Sequence, residues 1–120
     1  MIGSETLDIY GDAWNEDDQE AREALLRKSL ADDAVYCDPT AEVAGPAALA
    51  EHIGQTRRAF GRFRIERTSG YEEHHGYGRF SWRMESDDGE LIVEGFDVVR
   101  IAADGRLQTV IGFFGPFPEG

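Results

Sequence analysis

Asp32-Asp33-Ala34-Val35-Tyr36-Cys37-Asp38-Pro39 is the stretch on which the reading of this chain turns. Upstream of it, apolar residues recur every three or four positions, as on the buried stripe of a helix. From residue 63 they alternate with polar ones, as on a half-buried strand. The stretch therefore marks where helix gives way to sheet, and it places the carboxylate of Asp38 among apolar residues. An ionised carboxyl moved into an apolar setting raises its pKa, by up to roughly 3 to 5 units when burial is complete. Asp38 is accordingly the first candidate for chemistry.

Working back towards the N-terminus, Ser4 can cap a first helix with the stripe Leu7, Tyr10 and Trp14. Asp17 followed by Glu20 resembles a capping box and opens a second helix through Ala21, Leu25, Leu26 and Leu30. Downstream, Gly45-Pro46 starts a third helix whose stripe is Leu49, Ile53, Thr56 and Phe60, with Arg57 and Arg58 falling off it towards solvent. Phe63 and Ile65 then begin the alternating pattern. Asp87-Asp88-Gly89 and Asp104-Gly105 are tight-turn signals that divide the remainder into strands over about 74–86, 90–102 and 106–114.

These elements predict an α+β fold, a curved antiparallel sheet wrapped around three helices, in one domain over 1–120. The last two long strands are apolar on both sides: Val93, Val99 and Ile101 oppose Ile92, Phe96 and Val98, and Ile111 and Phe113 oppose Val110 and Phe114. A sheet that is apolar on both faces is covered twice, and a homodimer through the sheet is the simplest cover.

Composition narrows the function classes. Twelve Lys and Arg stand against 24 Asp and Glu, a formal charge of −12 that repels phosphate backbones and anionic lipid surfaces. Nucleic acid and membrane are therefore not expected as partners. Cys37 is the only cysteine, so no internal disulfide can form. With no run near the roughly 18 apolar residues of a membrane span, the expected location is cytoplasmic.

Strand parity brings out the candidate site. Tyr36 and Asp38 share one face of their strand, and Asp97 shares a face with Val93, Val99 and Ile101, so an acid replaces an apolar side chain in two inward rows. Two carboxyls in one apolar hollow cannot both ionise cheaply, and their pKa values separate. Each acid also has a plainer reading: Asp38 can cap the turn after it, and Asp97 can pair with Arg79 or Arg83. His74 has the parity of Phe80 and Trp82 and is expected to line the hollow. Its neighbour His75 should point to the opposite face, which argues against a shared metal ion. No metal and no cofactor is expected.

The chain also resembles a known family. The run Ala13-Trp14-Asn15, Leu30-Ala31-Asp32-Asp33-Ala34, Asp38-Pro39, Gly45, His74-His75, Gly95-Phe96-Asp97 and Gly112-Phe113-Phe114-Gly115 is similar to the SnoaL-like members of the nuclear transport factor 2-like superfamily, which also holds ketosteroid isomerases and polyketide cyclases. The resemblance covers about residues 5 to 117 and implies a cone-shaped fold with a deep apolar pocket open at one end. By resemblance to ketosteroid isomerase, a worked example of separated carboxylate pKa values, Asp38 looks like the proton-shuttling base. Asp97 looks like the protonated donor and Tyr10 like the oxyanion-binding tyrosine. Trp14, Tyr36, Phe60, His74, Phe80, Trp82, Val99 and Phe113 would line the pocket around a small apolar ligand. The expected function is a cofactor-free isomerase or cyclase that removes a proton next to a carbonyl. A non-catalytic binder of a hydrophobic metabolite and a dimeric interaction module remain open beside it.

Overall fold

The computed structural model describes residues 4–120, without the side chain of Ser4, so the expected Ser4 cap lies outside the described residues. The elements run α1 (Ser4–Asn15), α2 (Gln19–Ser29), β1 (Leu30–Asp38), β2 (Ala41–Ala44), α3 (Pro46–Phe60), β3 (Phe63–Arg67), β4 (Glu72–His74), β5 (Tyr77–Ser86), β6 (Leu91–Ile101) and β7 (Leu107–Phe114). The strands form one sheet in the order β2-β1-β7-β6-β5-β3, with β4 also paired to β5. The three-helix, curved-sheet architecture expected from the periodicity is therefore present. One pairing departs from the antiparallel pattern: β1 lies parallel to β7, which makes the sheet mixed. That contact joins segments about 75 residues apart, beyond the reach of any turn signal.

Local chemistry accounts for most of the boundaries. Pro46 opens α3, where its missing N–H costs nothing. Gly89 and Gly105 take φ of 86° and 88° in the β5–β6 and β6–β7 turns, a conformation that disfavours a side chain. The α2 cap is displaced by one residue from expectation: Asp18, not Asp17, accepts from the Ala21 N–H at 2.9 Å.

Asp17 has another task, and it corrects the reading of Arg57 as solvated. Arg57 is 8 % exposed; Nε and Nη2 bind the Asp17 carboxylate at 2.9 and 2.6 Å, and Nη1 donates to the Trp14 and Phe63 carbonyls at 2.9 and 3.2 Å. A fully hydrogen-bonded guanidinium can be buried where an unpaired one cannot. Arg58, by contrast, stays exposed as expected. A second clamp joins α1 to the outermost strand, with Asn15 exchanging hydrogen bonds with the backbone N–H and carbonyl of Ile65 at 2.7 and 2.8 Å. The side chain stands in for a missing neighbouring strand and holds β3 over the helices.

The helices cover the concave face of the sheet. Leu7, Leu26, Leu49, Ile53, Val99, Leu107 and Val110 are nearly inaccessible there. On the other face Phe113 and Phe117 are 48 % and 83 % exposed, with Phe96 stacked on Phe113 at 5.3 Å between ring centroids.

Candidate active site

The core does not fill the cone. A cavity of about 530 Å³ lies between sheet and helices, within the roughly 300 to 1,000 Å³ of small-molecule sites. Its walls include Tyr10, Trp14, Tyr36, Asp38, Phe60, Phe80, Trp82 and Asp97 from the expected set. Phe60 stands at its rim, 58 % exposed.

Three expected lining residues lie elsewhere. Val99 is on the inner face but belongs to the packed core. Phe113 is on the outer face, and Phe114 takes the place in the cavity wall. Since β7 is apolar on both sides, hydrophobic alternation could not choose between the two. His74 is exposed on β4, separated from β5 by a turn in which His75 has φ 54° and Gly76 φ 81°. Parity does not carry through a turn, so His74 loses the phase of Phe80. The same turn overturns the opposite-faces argument, because it brings the two histidine Nδ1 atoms to 3.1 Å. Even so, no group of three His, Cys, Asp or Glu that could hold a metal ion occurs among the described residues.

The two acids meet through strand register. Asp97 pairs with Gly112 across β6 and β7, and the parallel β1 brings Asp38 to the other side of the same glycine. A Cβ placed on Gly112 would stand 3.1 Å from Asp97 Oδ1 and 3.4 Å from Asp38 Cβ. Phe80 continues the row across β5. Gly112 is thus a site-forming residue, noted from the sequence only as part of a family run: its bare backbone on β7 leaves room for a carboxyl on each of the two flanking strands.

Their surroundings differ sharply. Asp38 Oδ1 accepts from the Thr40 N–H at 2.7 Å, the Thr40 hydroxyl at 2.6 Å and the Ala41 N–H at 3.1 Å, while Oδ2 accepts from the Tyr36 hydroxyl at 2.5 Å. The plainer turn-capping arrangement is therefore formed. Partial burial pushes the Asp38 carboxyl up, but the Thr40 and Tyr36 donors outweigh it and hold the group below the usual carboxylate range. Asp97 is 7 % exposed, and among the described residues the carboxyl receives one hydrogen bond, from Trp82 Nε1 to Oδ1 at 2.9 Å. Neither arginine offered as its partner is engaged with it, since Arg79 pairs with Glu72 and Arg83 with Glu85. Burial raises Asp97 to about 7, with the Trp82 hydrogen bond acting against the rise and the charge of Asp38 adding to it.

Tyr10 completes the group. Among the described residues its buried hydroxyl has no hydrogen-bond partner within bonding geometry. Burial first, then the charge of Asp97, push the phenol well above its ordinary value, with the nearby Trp14 indole acting against the rise and the charge of Asp38 adding a little to it, so the group remains a donor. The Tyr36 hydroxyl, also driven up by burial, is committed to Asp38.

Further lining residues were not anticipated: His52, Gln55, Thr56 and Ala59 from α3, and Thr40, Glu66 and Arg67 near the rim. The α3 set has its own signal, a second stripe at spacings of three and four that borders the first and shares Thr56 with it. His52 packs against Tyr36 and Trp14 at ring-centroid distances of 6.0 and 6.4 Å. Arg67 is tied to Asp8 at 2.6 Å.

The model of the SnoaL-like domain matches residues 8–110. The chain belongs to the SnoaL-like family. A solved SnoaL-like protein of Agrobacterium tumefaciens, described as a candidate isomerase, shares 33 % identity with a TM-score of 0.87, over 94 % of this chain and 97 % of that one. A candidate polyketide cyclase of Sinorhizobium meliloti matches at 18 % identity and TM-score 0.70 over 90 % and 93 % of the two chains. A protein of ketosteroid isomerase-like fold from Catenulispora acidiphila matches at 12 % and 0.73 over 92 % and 85 %. These last two share the fold alone. No curated protein matches the chain. Among the described residues, no helix of this SnoaL-like chain is long and apolar enough to cross a membrane.

Proposed function

We propose that this SnoaL-like protein is a cofactor-free acid–base enzyme of isomerase or cyclase type, acting on an apolar carbonyl compound held in the cavity. The observation that carries the reading is the placement of Asp97, a deeply buried acid with one neutral hydrogen-bond donor, in the same cavity as the unpartnered hydroxyl of Tyr10. A proton carrier works best when its pKa lies near the operating pH, and Asp97 at about 7 meets that condition. Asp38 does not, because four donors stabilise its charged form and weaken it as a base.

The base role that the resemblance to ketosteroid isomerase gives Asp38 therefore falls to Asp97 in this reading. Ionised Asp97 takes a proton from the carbon beside the carbonyl, and the C–H electron pair moves into the enolate. Tyr10 donates to the enolate oxygen. Asp97 then returns the proton to a different carbon in an isomerisation; in a cyclisation the enolate carbon attacks a second carbonyl, whose π electrons move onto its oxygen, and Asp97 protonates the resulting alkoxide. Asp38 supplies fixed negative charge that keeps the Asp97 proton weakly acidic.

Turnover of a panel of cyclic enones and ketones tests the proposal. Asp97→Asn should lower it on the order of 10² to 10⁴-fold while leaving binding of the same compounds intact. Full activity in that variant sinks the assignment, and saturable binding with no turnover in the unaltered protein selects the non-catalytic binder instead. The same reading includes a homodimer through the outer sheet face around Phe96, Phe113 and Phe117. Light scattering should then give about twice the 13.4 kDa mass of one chain, and a monomer at micromolar concentration rejects it.

A further inference from the structure

Trp82 was expected to be a wall of the pocket, yet it is held as a directional group. Its strand partner across β5 and β6 is Gly95. A Cβ on Gly95 would fall 1.9 Å from the Phe113 carbonyl oxygen and 3.1 Å from Trp82 Cζ2, so the glycine opens the slot in which the indole lies. Phe114 closes the slot with an edge-to-face contact at 6.0 Å and 87°. A ring fixed on two sides has little freedom to turn its N–H away from Asp97 Oδ1, 2.9 Å distant.

An indole N–H donates and never accepts. Whichever carboxyl oxygen receives it is the poorer place for a proton, since an oxygen already accepting a hydrogen bond shares its lone-pair density and a carboxylic proton there would crowd the indole hydrogen. We propose that Trp82 is a positioning residue that selects Oδ2 of Asp97 as the oxygen that takes and returns the proton.

The proposal rests on the acid–base reading of Asp97 and adds to it the choice of reactive atom. The other charged or titratable groups around Asp97 do not compete for Oδ1. Asp38 and Tyr36 on β1 are bound to each other, Tyr10 on α1 has no hydrogen-bond partner, and His52 on α3 packs against Tyr36. Trp82 alone among the described residues donates to the Asp97 carboxyl.

The test reads the hydrogen bond itself and needs no substrate. The chain has two tryptophans, so a ¹⁵N-labelled sample gives two indole N–H signals, assigned by Trp14→Phe and Trp82→Phe. The Trp82 signal should move downfield with a midpoint near pH 7 as Asp97 ionises, and Asp97→Asn should abolish the movement. In Trp82→Phe, followed through the Asp97 carboxyl carbon, the midpoint should rise to about 8 to 9, because a hydrogen bond to the charged form is lost. Site-specific replacement of Trp82 by its benzothiophene isostere, which keeps the shape and lacks only the N–H, should give the same rise and covers the case in which the phenylalanine variant fails to fold. An Asp97 midpoint unchanged in both variants, or a Trp82 signal that ignores pH, overturns the proposal. A wild-type Asp97 midpoint near 4 with a responsive Trp82 signal would instead overturn the proton-carrier reading and leave the hydrogen bond in place.

Discussion

Asp38 at the β1–β2 corner and Asp97 in the middle of β6 are the same side chain in one row of the sheet, on either side of Gly112. The corner surrounds its acid with a turn, whose backbone N–H groups and Thr40 hydroxyl all point at one oxygen. The middle of a strand has no such donors to spare, because its backbone groups are used in the ladder. Position in the sheet, not residue type, therefore separates the two carboxyls: donors at the corner hold one as an anion, and burial in mid-strand raises the other. The widest test of this contrast is turnover: Asp97→Asn should cost on the order of 10² to 10⁴-fold in kcat, and Asp38→Asn markedly less. Equal losses would make the two acids one functional unit.

The acids should also give opposite dependences of stability on pH. Below about pH 4 Asp97 is protonated both folded and unfolded and contributes nothing. Between about 4 and about 7 the unfolded chain releases this proton while the folded one keeps it, so stability falls with rising pH and then levels off. The span corresponds to about 4 kcal/mol as an upper bound. Asp97→Asn should therefore stabilise the protein at pH 8 and lose that advantage by pH 4, as followed by urea unfolding across the range. Asp38, depressed in the fold, contributes stability that is present above its ordinary pKa and lost as the pH falls below it. Asp38→Asn should flatten that acid limb and, by removing a charge that adds to the rise of Asp97, narrow the Asp97 span somewhat.

Gly112→Ala attacks the contrast from between the acids. The new methyl would press on Asp97 Oδ1 at 3.1 Å, where the carboxyl is already pinned by Trp82. Overpacking of this kind costs about 1 to 3 kcal/mol. Because a misplacement near one ångström reduces catalysis on the order of 10²-fold, turnover should fall further than thermal stability does. A variant that keeps its activity would show that the spacing of the two acids is immaterial.

What could be read from the chain follows from how far each signal reaches. Period-two alternation and the Asp-Gly turns are local, and they located β5, β6 and β7 to within a few residues. The facing of Asp38 and Asp97 into one cavity was legible because an acid interrupting an apolar row is visible in strand parity. The parallel β1–β7 contact was not, since nothing local reports it. Arg57 was misread because a buried guanidinium is made possible by the Trp14 and Phe63 carbonyls and by Asp17, partners chosen by tertiary structure. The distribution of donors around the acids was equally hidden: an aspartate followed by Pro39 and Thr40 can be a turn cap or a base, and only the geometry counts the hydrogen bonds.

The smallest expected effect tests the corner alone. Tyr36→Phe removes the single donor on Asp38 Oδ2 and leaves the three on Oδ1, while the ring retains its packing against Trp14 and His52. The loss of one hydrogen bond to a charged group, partly offset because Asp38 is only half-buried, should cost about 1 kcal/mol. The Asp38 carboxyl should rise back towards the ordinary range, moving the acid limb of the stability profile to higher pH. Asp97 should keep its midpoint near 7, because burial does most to raise it, and the lesser causes, the Trp82 hydrogen bond and the Asp38 charge, both persist at neutral pH. If Tyr36→Phe instead lowered turnover as far as Asp97→Asn, the hydroxyl would have to act on the substrate, and the corner would be part of the reacting group.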